Sequence, residues 1–153
     1  RPDRSWLCAN PGQVRAQGKL GGSTEERGRR CRRAIAPGRD KVAAVGLEKV
    51  TALRKATGLE LSGYCRGGMY PAPSSEGRRL ALDDNRRAVD EARALNAACL
   101  VLVVGGLPGA LQGHPESKDI GAARNDVRDG IAATLEYARK VGMPLALEPL
   151  HPI

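Results

Sequence analysis

Phenylalanine is missing from all 153 residues, and aromatic side chains make up only 3% of them. The hydrophobic content of 41% is enough for a core, but that core has to be assembled from Leu, Val, Ile and Ala. No run approaches the roughly 18 to 20 apolar residues that a membrane span requires, and no stretch has the successive regions of a secretory signal. A cytoplasmic location is the expectation. Histidine occurs only at His114 and His151, and Cys8, Cys31, Cys65 and Cys99 are scattered without a C-x-x-C pair. Zinc and disulfide frameworks are therefore poorly supported, and reduced thiols are expected. The turns between strands and helices also lack G-x-G-x-x-G and G-x-x-x-x-G-K-[ST], the glycine-rich loops that cradle phosphates.

The net charge of +8 is unevenly placed. Residues 1–41 hold 11 Lys and Arg against 4 Asp and Glu, whereas residues 42–153 hold 14 against 13. A phosphate-binding surface spread over the whole fold is thus not indicated. Residues 1–33 are rich in Arg and Gly, show neither strand nor helix periodicity, and are expected to form a disordered basic segment. The run Arg27-Gly-Arg-Arg-Cys-Arg-Arg33 has no aromatic side chain to stack on bases, which argues against a nucleic-acid partner.

From residue 34 the texture changes. Ala34-Ile-Ala-Pro37 reads as a short strand, followed by one amphipathic helix with Val42, Val45, Val50, Leu53 and Ala56 on a stripe, capped by Asp40 and closed by Gly58. Leu59 to Cys65 is a second strand, ending in the loop Arg66 to Ser75. A helix over about residues 77–97 has Asp83 to Arg87 and Arg86 to Asp90 as i,i+4 pairs on its wet side. Cys99 to Val104 is apolar at every position, the pattern of a strand covered on both faces. A helix from about Asp119 to Val141 follows, with Ile120, Ala123, Val127, Ile131, Leu135 and Ala138 on its stripe and Gly142 at its end.

The chain then reaches Pro144-Leu-Ala-Leu-Glu-Pro-Leu-His-Pro152. Leu145 and Leu147 alternate with Ala146 and Glu148, so an extended backbone sets the acid on the face opposite the two leucines. Pro149 disfavours helical geometry at Glu148 and keeps it extended at the carboxyl end of a strand. In parallel α/β folds that end is where ligands bind. Strand and helix alternate throughout, which predicts βα units with parallel pairing. Without nucleotide-binding turns, the expected architecture is α/β, a partial (β/α)8 TIM barrel of four strands.

Arg66-Gly-Gly at a strand end, Leu82-Asp-Asp-Asn-Arg-Arg-Ala-Val-Asp-Glu-Ala92, Leu100-Val-Leu-Val-Val-Gly-Gly106 and Leu147-Glu-Pro-Leu-His-Pro152 together resemble the xylose-isomerase-like TIM-barrel superfamily. Within it, the bacterial sugar-phosphate isomerase and epimerase proteins are the most similar. The resemblance runs from about residue 34 to 153 and implies strands two to five of an eight-stranded barrel with a divalent metal (Mn, Mg, Co or Zn) at its carboxyl face. It implies that Glu148, at the end of the fifth strand, is a metal ligand and an acid/base catalyst, and that the ligand is a sugar or sugar phosphate. Arg66 could pair with a phosphate or carboxylate of the substrate, and His151 could meet a substrate hydroxyl. The endonuclease branch carries histidines at earlier strand ends; here those ends read Tyr64-Cys65-Arg66 and Val104-Gly105-Gly106.

The family's later-strand ligands, typically an Asp, a His and a second Glu, are not present after Ile153. The expectation is thus a truncated isomerase or epimerase, weak or inactive alone, whose raw sheet edges favour self-association. The alternative is a non-catalytic α/β interaction module with a basic nucleic-acid-binding arm.

Overall fold

The structure, a computed structural model, describes residues 34–108 and 116–149. The basic segment 1–33, His114 and His151 lie outside the described residues. The described residues form five strands and four helices, in the order β1 (Ala34–Ile35), α1 (Arg39–Val45), α2 (Leu47–Thr57), β2 (Glu60–Leu61), β3 (Tyr64–Gly68), α3 (Ser75–Ala94), β4 (Leu100–Val104), α4 (Ile120–Val141) and β5 (Leu145–Pro149).

All strand pairings among the described residues are parallel, β1 with β2 and then β3 with β4 with β5. Hydrogen bonds from Cys65 N to Pro37 O (3.0 Å) and Ala98 N to Leu61 O (2.8 Å) join the two groups. The segment 60–68 thus fills one strand position, and four parallel positions follow each other in chain order. No helix of the described residues is long and apolar enough to cross a membrane.

Helix ends follow local chemistry. Ser74 Oγ accepts from Gly77 N at 3.0 Å to start α3, and Asp119 Oδ1 accepts from Ala122 N at 2.9 Å to start α4. Gly142, at φ 74°, ends α4 as expected. The single helix expected after β1 is instead two, because Gly46 adopts φ 93°, ψ 138° between them. The break lets Val42 bury and Val50 pack against the core, while Val45 and Leu53 stay exposed. The helix is capped at Gly38, not Asp40, which sits in the first turn. On α3 the ion pairs are also shifted from expectation: Arg86 meets Asp83 and Arg87 meets Asp84, both three residues back, and Arg79 reaches Asp83.

The core lies between the sheet and its helices. Leu100 and Leu102 of β4 pack with Ala88, Val89, Ala92 and Leu95 of the α3 segment and Ala138 of α4. With no phenylalanine available, the three tyrosines carry the aromatic bulk among the described residues, each tied by its hydroxyl. Tyr64 donates to Glu91 Oε2 (2.9 Å), Tyr70 to Thr134 Oγ1 (2.9 Å) and Tyr137 to Asp90 Oδ1 (2.9 Å). Arg39 straps α1 to α3, donating to Asp84 at 2.8 and 3.2 Å and to Glu91 at 2.9 and 3.3 Å. Burial pulls the Arg39 guanidinium toward its neutral form, but these bonds outweigh it and hold the proton more firmly than usual. The same guanidinium holds the Asp84 carboxyl below the ordinary carboxylate range.

Candidate functional site

Side chains alternate along a strand, so the burial of Leu100 and Leu102 against the helices assigns Val101 and Val103 to the opposite, concave face. Register carries that assignment across the sheet. Val101 is level with Cys65 and Ala146, and Val103 is level with Gly68 and Glu148. Glu148 is therefore on the concave face at the carboxyl rim, with Leu145 and Leu147 on the face toward the helices, as the alternation predicted. Pro149 continues the strand beyond it.

Two rows define the site. The lower one, Cys65, Val101 and Ala146, is made of small side chains. Around it, a Cβ built on Gly63 would lie 3.3 Å from Val101 Cγ2, 3.5 Å from Cys99 Sγ and 3.8 Å from Ala36 Cβ, so the floor is narrow and largely apolar. The upper row is Gly68, Val103 and Glu148. With strands spaced by about 4.8 Å, Gly68 and Glu148 stand roughly 10 Å apart across Val103, and no side chain rises from the Gly68 end. The half-buried carboxylate of Glu148 has no hydrogen bond or ion pair among the described residues.

Arg66 is not in the loop expected for it. β3 runs on to Gly68, and the register slips between Cys65 and Gly67, so Arg66 is the extra residue of a bulge and is exposed. It stands outside the row that Glu148 shares with Gly68. Its guanidinium likewise engages no partner among the described residues. Asn85 is the site-related residue that the sequence reading missed. It is fully buried on α3 and bonds the Gly68 backbone. The signal was present, since Asn85 occupies the apolar stripe continued by Ala88, Val89 and Ala92, where a polar residue needs a partner.

The described residues do not by themselves make a metal centre. No group of three or more His, Cys, Asp or Glu among them could hold an ion. Glu148 offers one carboxylate, whereas a hard divalent cation takes about six oxygen ligands.

Parallel strands in sequential order with helices on one face are the arrangement of part of a β/α barrel, and Glu148 stands at the carboxyl end of a strand, the end at which barrels of this kind bind ligands. Comparison with known proteins agrees. The sequence profile of the xylose isomerase-like TIM barrel family matches residues 25–152, and the chain belongs to that family. A protein of Sinorhizobium meliloti 1021, of solved structure, is 59% identical, with a TM-score of 0.71 over 78% of this chain and 42% of its own. A D-tagatose 3-epimerase-like protein is 16% identical and shares the fold, with a TM-score of 0.62 over 79% of this chain and 45% of its own. The chain thus spans less than half the length of either. No curated protein matches.

Proposed function

We propose that this chain forms the acid-bearing part of a sugar or sugar phosphate isomerase or epimerase site, with Glu148 as its proton-transfer group. The observation that carries the reading is the upper row, in which the half-buried Glu148 carboxylate, without a partner among the described residues, stands on the concave face at the carboxyl end of its strand, above a floor of small side chains. Family membership supplies the barrel context. The epimerase-like solved relative supports the fold alone.

In this reading a ketose lies with its carbonyl near the rim. Glu148 takes the proton from the carbon next to that carbonyl, and the electron pair of the broken C–H bond moves into an enediolate. Returning the proton to the neighbouring carbon gives isomerisation, and returning it to the opposite face of the same carbon gives epimerisation. The described residues provide no second acid for that return. Glu148 would also contribute one ligand to a divalent cation, the remaining ligands of which the described residues do not furnish.

The test is exchange with solvent. D-Tagatose and D-fructose are incubated with the chain and Mn²⁺ in deuterated water, and deuterium beside the carbonyl is followed by NMR. Wild-type protein should incorporate it, and Glu148→Gln should lower the rate by about 100-fold or more, the scale of a lost acid/base group. Equal incorporation by both proteins, or none by either, refutes the reading.

A further inference from the structure

Asn85 has 0% exposure, in the middle of a helix stripe that is otherwise apolar. A side-chain amide placed there is costly unless its donors and acceptor are used. They are used on one residue above all. Asn85 Oδ1 accepts from Gly68 N at 2.6 Å, and Asn85 Nδ2 donates to Gly68 O at 2.8 Å and to Ala81 O at 2.8 Å. Both polar groups of the Gly68 backbone therefore end on a helix side chain, although Gly68 lies in a strand. Gly68 itself is at φ 101°, a conformation that L side chains rarely adopt.

Packing alone does not account for this choice. Leucine in the same stripe would fill the space without a desolvation cost, but it would leave the Gly68 N–H and C=O without these partners. Gly67 shows how closely the amide is fitted: a Cβ there would stand 2.7 Å from Asn85 Oδ1 and 2.6 Å from Leu102 Cδ2. The amide thus reaches through the helix-facing side of the sheet to set a backbone whose other side belongs to the site.

We propose that Asn85 is a positioning residue for the ligand rim: it holds Gly68 in its turned conformation from the helix side and so sets the rim backbone that is level with Val103 and Glu148. The conformational part stands on the hydrogen bonds alone; the ligand part rests on the reading of Glu148 given above. Because Asn85 is on the helix side of the sheet, it acts on a bound sugar only through Gly68.

The experiment uses the 153-residue chain. Amide hydrogen exchange at Gly68 is compared with that at Leu102, an internal reference in the neighbouring strand, and D-tagatose is titrated as the probe. Asn85→Ala should speed exchange at Gly68 by roughly 10- to 100-fold relative to Leu102 and weaken D-tagatose by about tenfold or more, the scale of a lost buried hydrogen-bonding group.

Asn85→Asp serves if the alanine variant fails to fold. It keeps the acceptor for Gly68 N and loses both donors, so Gly68 should stay protected. Its buried carboxylate would face two carbonyl oxygens and favour the protonated form, so D-tagatose binding should improve from pH 7 to pH 5 more than in wild type. Gly68 exchange that is unchanged in the alanine variant, or that rises only in step with Leu102, overturns the proposal. Equal affinities in wild type and variants despite a loosened Gly68 overturn its ligand part. Failure of wild type to bind D-tagatose, with Gly68 loosened in the variant, supports the positioning of Gly68 and counts against the reading of Glu148.

Discussion

Replacing Gly68 by alanine should be the most damaging single-methyl change in the chain's strands. An L residue held at φ 101° carries a conformational cost of roughly 1–2 kcal/mol. The new Cβ would also fall on the carbonyl oxygen of Val103, and it would lie 2.9 Å from Val103 C and 3.0 Å from Val103 N. These are backbone atoms of β4, so no rotamer change relieves the contact. The rim of β3 has to move away, weakening the Met69 N to Val103 O bond (3.4 Å) and the two Gly68 bonds to Asn85. At about 0.5–1.5 kcal/mol each, losing two or three of these brings the total to roughly 3–5 kcal/mol. Gly142→Ala is the control. Gly142 is also at positive φ, 74°, but nothing lies within 4 Å of its added Cβ, so only the conformational cost of about 1 kcal/mol applies. Urea unfolding followed by far-UV circular dichroism measures both, provided the slope is unchanged. A Gly68→Ala loss within about 0.5 kcal/mol of the Gly142→Ala loss would refute the reasoning, because it would mean that the β3 rim accommodates a side chain freely.

Arg39→Met should cost about 2 kcal/mol in the same assay, less than a fully buried pair because Asp84 and the arginine are partly open to solvent. Since Arg39 depresses the Asp84 carboxyl, its contribution is present above the ordinary aspartate range and is lost as pH falls through the folded-state value; Arg39→Met should therefore cost less at pH 3 than at pH 7. Tyr70→Phe removes the donor to the buried Thr134 and should cost about 1–2 kcal/mol, read as a lower urea midpoint. Glu148→Gln should leave stability within about 0.5 kcal/mol, since the carboxylate has no partner among the described residues to lose. Leu147, 54% exposed on β5, and Ile35 on β1 mark the two outer strand positions of the described sheet. Light scattering after size exclusion should show the 153-residue chain as a dimer or larger, and a monomer across the concentration range would count against edge pairing.

The order of elements was legible where one local signal dominated. The apolar run Cys99–Val104 has the pattern of a strand covered on both faces, and β4 (Leu100–Val104) is such a strand; Asp119 and Gly142 bracket α4 with their own backbone chemistry. Glu148 was placed correctly because alternation within a strand is a strict period of two, and register with Val103 then carries it to the concave face. The misreadings arose where tertiary structure decides. Val45 and Leu53 kept the helical period across Gly46, but the period does not report whether a partner covers them. Two glycines after Arg66 suggested a loop, whereas the β4 ladder and Asn85 hold that segment as strand and bulge. Ile120 fits the apolar stripe of α4 and yet is exposed at the helix's first turn.

The two faces of the sheet divide the work, and this sets what substitutions on each can reveal. The helix-facing side is filled by large, tied groups: Leu100, Leu102, Tyr64 and the Arg39 strap. Changes there act on stability first, as cavities or unpaired polar groups, and report little about chemistry. The concave side carries small side chains, Cys65, Val101 and Ala146, beneath Glu148. Shortening these removes little buried area, so their effect on folding should be slight, while any effect on a ligand should be direct. Asn85 is the exception that joins the two, because it is buried with the stabilising face and bonded to a backbone that shapes the other. A substitution there is expected to change both ligand affinity and local exchange at Gly68, a combination that neither a Leu102 nor a Glu148 variant should produce.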